Sequence, residues 1–360
     1  MKEKSILFFT ESLGSGGAER QLCGLAIGLK ERGFSVKVIT YIKNQFYEPL
    51  LRESGVDYEL HEELQPKYLR VLKFIRIVRD FAPDVVISFL PGPNKVACLA
   101  KPFCSYRLLV GERNTNISIS RLDILRFNIY RFSDSIIPNS FAQQEFIVSN
   151  FPYLKNRVKT IVNFVDVVKF CPIEVIQQND VPHIITVARF TEQKNYLRYI
   201  EAIAIVIRNG YKVKFDFYGN YMDYKSYLLV LQKKIKELGL EGVVTINPPY
   251  TNIVEKYRES DALCLPSIYE GYPNVLCEAM STGLPVICSN ILEMPRIVKE
   301  GTNGYLFNPY DANEISRALM KYLDTPKTIL KQISQNNRSQ ILKINSIDNL
   351  VNNYISLFCK

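Results

Sequence analysis

Short apolar runs alternate with helical patterns along the whole of this chain, and that alternation constrains the fold more than any other feature. A short apolar run followed by an amphipathic stretch predicts a βαβ unit. A succession of them predicts a parallel sheet with helices on both faces. In the first half the runs are SILFFT (5–10), SVKVIT (35–40), VDYEL (56–60), DVVIS (84–88), RLLVG (107–111), SIIP (135–138) and RVKTI (157–161). The series restarts with HIITVA (183–188), VKFDFYG (213–219), VVTIN (243–247), ALCLP (262–266), PVICS (285–289) and GYLF (304–307). Between the two series, residues 163–182 have no period and contain two prolines, which predicts a domain connection. A chain of 360 residues also exceeds one ordinary core. The expected fold is α/β, two doubly wound Rossmann-like domains facing each other across a cleft. Their expected bounds are 1–165 and 166–342, with a helix over 343–360 returning to the N-terminal domain.

Open α/β sheets bind ligands at the carboxyl ends of their strands, so the residues just after each run carry the functional argument. After ALCLP comes SIYEGYPNVLCEAMSTGLPVI (267–287), in which Glu270 and Glu278 flank a turn of Gly271, Pro273 and Asn274. Pro273 suits a helix start, and Gly283 followed by Pro285 a helix end, so a helix is expected over about 274–282. Its first amides, near Asn274, Val275 and Leu276, form an anion site. The two carboxylates would repel a phosphate held there unless they accept hydrogen bonds from neutral hydroxyls. A diphosphate flanked by hydroxyl-rich rings, a nucleotide sugar, satisfies both demands. Carboxylates that merely favour the helix dipole fit the spacing equally well.

Arg189 and Lys194 in ARFTEQKN follow the first strand of the second series and suit a diphosphate. After the first strand of the chain, Gly14, Gly16 and Gly17 let backbone approach a ligand closely. Glu19 stands where a dinucleotide fingerprint needs its third glycine, and no acid follows the second strand, so a nicotinamide site is poorly supported.

Composition excludes several classes. Cysteines at 23, 98, 104, 171, 264, 277, 288 and 359 include no C-x-x-C pair, against a zinc or disulfide framework. The N-terminus has only four successive apolar residues, too few for a secretory signal, and no run reaches the length of a membrane span. A cytoplasmic protein, peripheral at most to the inner membrane face, is expected. No two aspartates stand two apart, so the Asp-x-Asp metal clamp of many sugar transferases is missing. His61 reads as solvated and His183 as structural, with no metal or nucleophile constellation around either. The net charge is +9, and residues 1–165 hold 23 Lys+Arg against 16 Asp+Glu. The basic residues are scattered and no nucleic-acid motif accompanies them, so a polyanion binder is the weakest reading.

With its Glu-x7-Glu spacing, the stretch 267–287, together with GGAER and RFTEQKN, resembles the retaining family-four (group 1) glycosyltransferases of GT-B fold over essentially the whole chain. The resemblance implies that Glu270 contacts donor-sugar hydroxyls and Glu278 the ribose. It implies that Arg189 and Lys194 hold the diphosphate, that the amides of Asn274, Val275 and Leu276 line the sugar-phosphate site, and that Gly16 and Gly17 approach from the other domain. It further implies no metal or other cofactor, same-face attack with retention, and a hexose or N-acetylhexosamine donor, UDP-linked ahead of GDP-linked. The acceptor would be a lipid-linked or cell-surface glycan. A non-transferring enzyme of the same fold, such as a nucleotide-sugar epimerase, and a soluble-acceptor transferase remain alternatives.

Three departures from the family stand out. The loop that often carries a histidine after the fifth strand reads Glu112-Arg113-Asn114, and arginine cannot act as a base. These three residues are read as acceptor- or phosphate-binding. Arg296 replaces an acid in EMPRIV, and the glycine-rich turn after the second strand of the later series is YGNYMD. Finally, Lys67, Arg70, Lys73, Arg76 and Arg79 recur among apolar residues over 66–81. A sheet-packing helix with snorkelling cations explains this pattern, and a helix lying on an anionic membrane surface is the sharper reading.

Overall fold

The computed structural model describes residues 4–172, 180–220 and 222–359. The chain forms two compact units, Met1–Phe164 with Ile347–Lys360, and Val165–Ser346. Of the connection expected over 163–182, residues 173–179 lie outside the described residues.

In the first unit, β1 (Ser5–Phe9), β2 (Ser35–Thr40), β3 (Asp57–Leu60), β4 (Val85–Phe89), β5 (Arg107–Glu112) and β6 (Ser135–Pro138) build one sheet. Their order is β3-β2-β1-β4-β5-β6, and every pairing is parallel. The second unit contains β7 (His183–Val187), β8 (Lys214–Tyr218), β9 (Val244–Asn247), β10 (Ala262–Leu265), β11 (Val286–Ser289) and β12 (Gly304–Phe307). Its sheet, ordered β12-β11-β10-β7-β8-β9, is also parallel throughout. Both sheets reverse direction beside their first strand, between β1 and β4 and between β7 and β10. Such switch points open the crevice in which doubly wound sheets bind ligands.

The sequence writes the central strands β1, β4, β10 and β11 as continuous apolar runs because both their faces are covered, whereas the outer strands β3, β8 and β9 alternate. Ile6 and Phe8 of β1 pack with Leu22, Leu25 and Leu29 of helix Gly17–Glu31, whereas Leu7 and Phe9 pack with Phe74 and Val78 of helix Arg70–Phe81. RVKTI (157–161) does not form the seventh strand expected of it. Val158 makes an isolated bridge to Ile136, and Lys159 and Ile161 donate their amides to Ile136 O and Pro138 O at 2.9 and 3.1 Å. A 3-10 helix, Pro152–Arg157, takes its first residue, and Thr160 turns its amide and hydroxyl to the Gln144 side chain at 3.0 and 2.6 Å.

Helix Ile347–Phe358 belongs to the first unit and shares its core through Leu350, Val351, Tyr354 and Phe358. It lies against helix Gly17–Glu31 where Gly28 has no side chain. A Cβ there would stand 2.5 Å from Val351 Cγ2. Gly28→Leu removes a weak helix former, a gain of about 1 kcal/mol, yet should lower stability by a net of about 1–3 kcal/mol through overpacking. Urea unfolding checks this, and an unchanged or raised midpoint would mean that the two helices are not so closely seated.

Candidate active site

In the second unit the loops after β7 and β10, neighbours at the switch point, are tied together. Ile268 donates its amide to Gln193 O at 2.9 Å, and Gln193 Nε2 donates to Tyr269 O at 2.9 Å. Asn195, held at φ 59°, donates to Pro266 O and Pro309 O at 3.1 and 2.7 Å. Asparagine tolerates this left-handed backbone, which explains the residue type. Lys194 Nζ forms an ion pair with Glu270 Oε1, and Ser267 Oγ donates to the same oxygen at 2.7 Å. Both charged side chains are only 12% exposed. The loop after β7 approaches β8 so tightly that a Cβ on Gly219 would stand 1.8 Å from Ala188 O, so a glycine is required. Arg189 is exposed and has no partner among the described residues. It borders an open hollow of ≈ 660 Å³ walled by Thr191, Tyr227 and Tyr269.

The expected helix is Asn274–Ser281, capped by Pro273 rather than containing it, with no side-chain cap. The expectation that the Leu276 amide is open to a ligand is corrected, since Leu276 and Cys277 both donate to Pro273 O, at 3.1 and 3.2 Å. The first turn is tight, and Asn274 and Val275 remain the residues at its mouth. Glu278 lies one turn in and buried, with Tyr257 OH donating to Oε2 at 3.4 Å.

In the first unit Gly16 caps helix Gly17–Glu31, and a Cβ on Gly16 would collide with Glu19 Oε2. Burial chiefly, with repulsion from Glu11, pushes the Glu19 carboxyl up, while a backbone hydrogen bond draws it down. A group that sequence reasoning missed gathers at the switch point. Tyr41 OH donates to Glu11 Oε1 at 3.3 Å, the Arg70 guanidinium lies 4.2 Å from the Tyr41 ring centroid, and Gly92 passes close to both Glu11 and Tyr41. Glu11, Tyr41 and Gly92 were signalled only by position, directly after β1, β2 and β4, and Arg70 only as one of the cations of 66–81.

Three expectations change here. Glu112 is wholly buried, 3.6 Å from Arg126, so it serves the interior and not an acceptor. Arg113 lies over the Phe89 ring and donates to Asn163 Oδ1 and Tyr354 OH at 3.1 and 2.7 Å, tying down the C-terminal helix. Asn114 alone of the three is exposed. His61 is not solvated. Its ring, 18% exposed, lies between Glu63 at 2.6 Å and Glu59 at 3.0 Å. In the basic helix, Arg70 donates to Leu64 O and Gln65 O and Lys73 to Glu63 O, which leaves Arg76 outward, with Lys67 exposed in the turn before the helix. His183 Nδ1 lies 3.6 Å from Asp216. Among the described residues no cluster of His, Cys, Asp or Glu could hold a metal ion, and no helix is long and apolar enough to cross a membrane.

Removing one partner of the Lys194–Glu270 pair strands the other in a poorly hydrated place. Lys194→Ala should therefore cost about 1–3 kcal/mol, and Lys194→Ala with Glu270→Gln less than Lys194→Ala alone. A double-mutant cycle by urea unfolding measures the difference, and strict additivity would mean that the two charges do not interact.

A family model for "Glycosyl transferases group 1" matches residues 174–340, and one for "Glycosyltransferase Family 4" matches residues 15–169. The amylovoran biosynthesis glycosyltransferase AmsD of Erwinia amylovora is 25% identical over 345 residues, 92% of this chain and 93% of that one. The Campylobacter jejuni N-acetylgalactosamine-N,N'-diacetylbacillosaminyl-diphospho-undecaprenol 4-alpha-N-acetylgalactosaminyltransferase is 28% identical, covering 78% of this chain and 80% of its own. The crystal structure of Anabaena HepE in complex with UDP superposes with a TM-score of 0.87 at 19% identity, over 99% of both chains, which speaks to the fold. With one matched segment falling on each doubly wound unit, the chain belongs to the family-four, group 1 glycosyltransferases of GT-B fold.

Proposed function

We propose that this glycosyltransferase moves a hexose or N-acetylhexosamine from a UDP-sugar, with retention and without a metal, to a saccharide carried on a polyprenyl diphosphate at the inner membrane face. The observation that carries the donor half is the pair of loops at the β7–β10 switch point. There Arg189, unpartnered among the described residues, shares a loop with the neutral Lys194–Glu270 pair. A bound diphosphate would draw Lys194 from Glu270, and a donor-sugar hydroxyl would then take its place on that carboxylate. Neither charge is left alone on binding, which favours this ligand over a bare phosphate or a free sugar. Asn274 and Val275 would meet the sugar-side phosphate at the helix start, and the buried Glu278 would accept from ribose hydroxyls. In this reading the leaving diphosphate, on the face from which the acceptor attacks, takes the acceptor proton. The protein's part is to hold both reactants and to stabilise the developing charge with Arg189 and Lys194.

HepE has been crystallised with UDP and with UDP-glucose, which favours UDP over GDP. The acceptor half rests on relatives. Besides the Campylobacter enzyme, an Escherichia coli relative, 29% identical over 224 residues, is named a UDP-Gal:alpha-D-GlcNAc-diphosphoundecaprenol galactosyltransferase. Arg113 lends it no support, being committed to Asn163 and Tyr354.

Activity should survive EDTA, whereas Arg189→Ala should lose on the order of 100-fold in rate. Strict dependence on added Mn²⁺ or Mg²⁺ would contradict the counter-charge assigned to these side chains. The two carboxylates should fail differently. Glu278→Ala should weaken UDP binding by about 1–3 kcal/mol in calorimetry, while Glu270→Gln should chiefly lower turnover. Unchanged UDP affinity in Glu278→Ala would displace that residue from the ribose. A panel of nucleotide sugars, assayed with diphosphate-linked and free acceptors, tests the reading as a whole.

A further inference from the structure

The chain passes between its two units at Phe164–Val165 and again at Ser346–Ile347. A connection that only joins two units can leave its backbone groups to water. At the first crossing side chains hold them instead. Within the first unit, Gln21 donates to Phe164 O and accepts from Phe164 N, each at 2.8 Å. Gln21 is 1% exposed and lies on helix Gly17–Glu31, one turn after the glycines that follow β1. Gly24, the next residue on that face, makes room for the Phe164 ring, since a Cβ there would stand 2.2 Å from Phe164 Cζ.

Within the second unit, Val165 donates its amide to Asn345 O at 2.8 Å. The buried Asn345 side chain in turn donates to Tyr272 OH at 2.7 Å. Tyr272 stands between Glu270 and the start of helix Asn274–Ser281, and its hydroxyl also bonds the Cys277 thiol inside that helix. The far end of the same helix is held to the same stretch of chain. Ser281 Oγ donates to Phe170 O at 2.7 Å, and Arg338 donates to Ser281 O, Phe170 O and Val167 O, each at 3.0 Å. Arg338 and Asn345 are seven residues apart, about two turns along and past helix Lys327–Ile344, which places both on one side of it.

We propose that Gln21, Asn345 and Tyr272 are positioning residues for the transfer step. Each unit grips its own side of one peptide bond, Phe164–Val165. A hydrogen-bonded path thereby runs from the helix after the glycine-rich turn, through that peptide, to the loop of Glu270 and the helix start. Arg338 is its second anchor. A diphosphate held at Asn274 and Val275 bears on Tyr272, two residues before, and the path carries that constraint to Phe164. Buried side chains that satisfy every link make the path stiff. Misplacement of reacting groups is costly in rate, so cutting a link should lower turnover without touching the ligand. The inference rests on the donor reading above, and its test separates the two.

The test is hydrogen–deuterium exchange of the full chain with and without UDP, together with steady-state kinetics, on the wild type, Tyr272→Phe, Gln21→Leu and the double variant. Circular dichroism and UDP affinity serve as controls for folding. In the wild type, UDP should protect residues 164–167 as well as 266–278. In Tyr272→Phe the protection of 266–278 should persist and that of 164–167 should be lost. Each single variant should lose on the order of tenfold in kcat at unchanged UDP affinity. The double variant should fall little further than either single, as expected of one path. Tyr272→Phe keeps the ring and tests the path even where Gln21→Leu does not fold. Wild-type protection of 266–278 without 164–167 would overturn the proposal and leave the donor reading standing, whereas protection of neither would overturn both. Losses that multiply in the double variant, or a Tyr272→Phe defect confined to UDP affinity, would also overturn the proposal.

Discussion

The contact of Lys194 with Glu270, across 76 residues of chain, is the interaction on which the candidate site depends. Each charge would be costly in a place only 12% exposed, and each makes the other tolerable. Their attraction joins the loops of β7 and β10, and the Ser267 hydroxyl and the Asn195 amide complete the tie. The result is a crevice edge built on a neutral pair, with Arg189, unpartnered among the described residues, in the same loop. Such an edge can accept a doubly charged diphosphate and a sugar hydroxyl by exchanging partners, not by gathering charges that were apart.

The first unit shows the opposite use of polar groups. Glu112 and Arg113 stand in the loop where chemistry was expected, yet both are turned to structure. Glu112 is buried against Arg126, and burial raises its carboxyl, with the Arg126 charge opposing this. Arg113 is stacked on Phe89 and bonded to the returning C-terminal helix. At the switch point of the same unit, Arg70 donates to Tyr41 OH, which in turn donates to Glu11.

The architecture was legible in the sequence because the central strands of both sheets are buried on both faces and read as unbroken apolar runs. RVKTI misled for the same reason. It has the composition of a strand, and Lys159 and Ile161 donate their amides to β6, but a 3-10 helix takes its first residue and the Gln144 side chain the Thr160 amide, which no pattern in the run announces. Arg189, Lys194 and Glu270 were legible because they lie in the loops that follow β7 and β10, and Glu278 because it lies in the first turns of the helix after β10. The partner of Lys194 was not, since nothing local to either residue reveals a pair so distant in sequence. The buried state of Glu112 depends on Arg126, fourteen residues on, and the inward turn of Arg113 on Tyr354 at the far end of the chain. An exposed Glu-Arg-Asn loop and a buried one have the same sequence signature.

The central claim is that the β7–β10 switch point of the second unit receives the nucleotide diphosphate. Hydrogen–deuterium exchange of the whole chain with and without UDP tests it most directly. Protection on binding should be concentrated in residues 188–195 and 266–278, where the two tied loops and the helix start lie. Protection confined to other loops, with these two unaffected, would contradict the account.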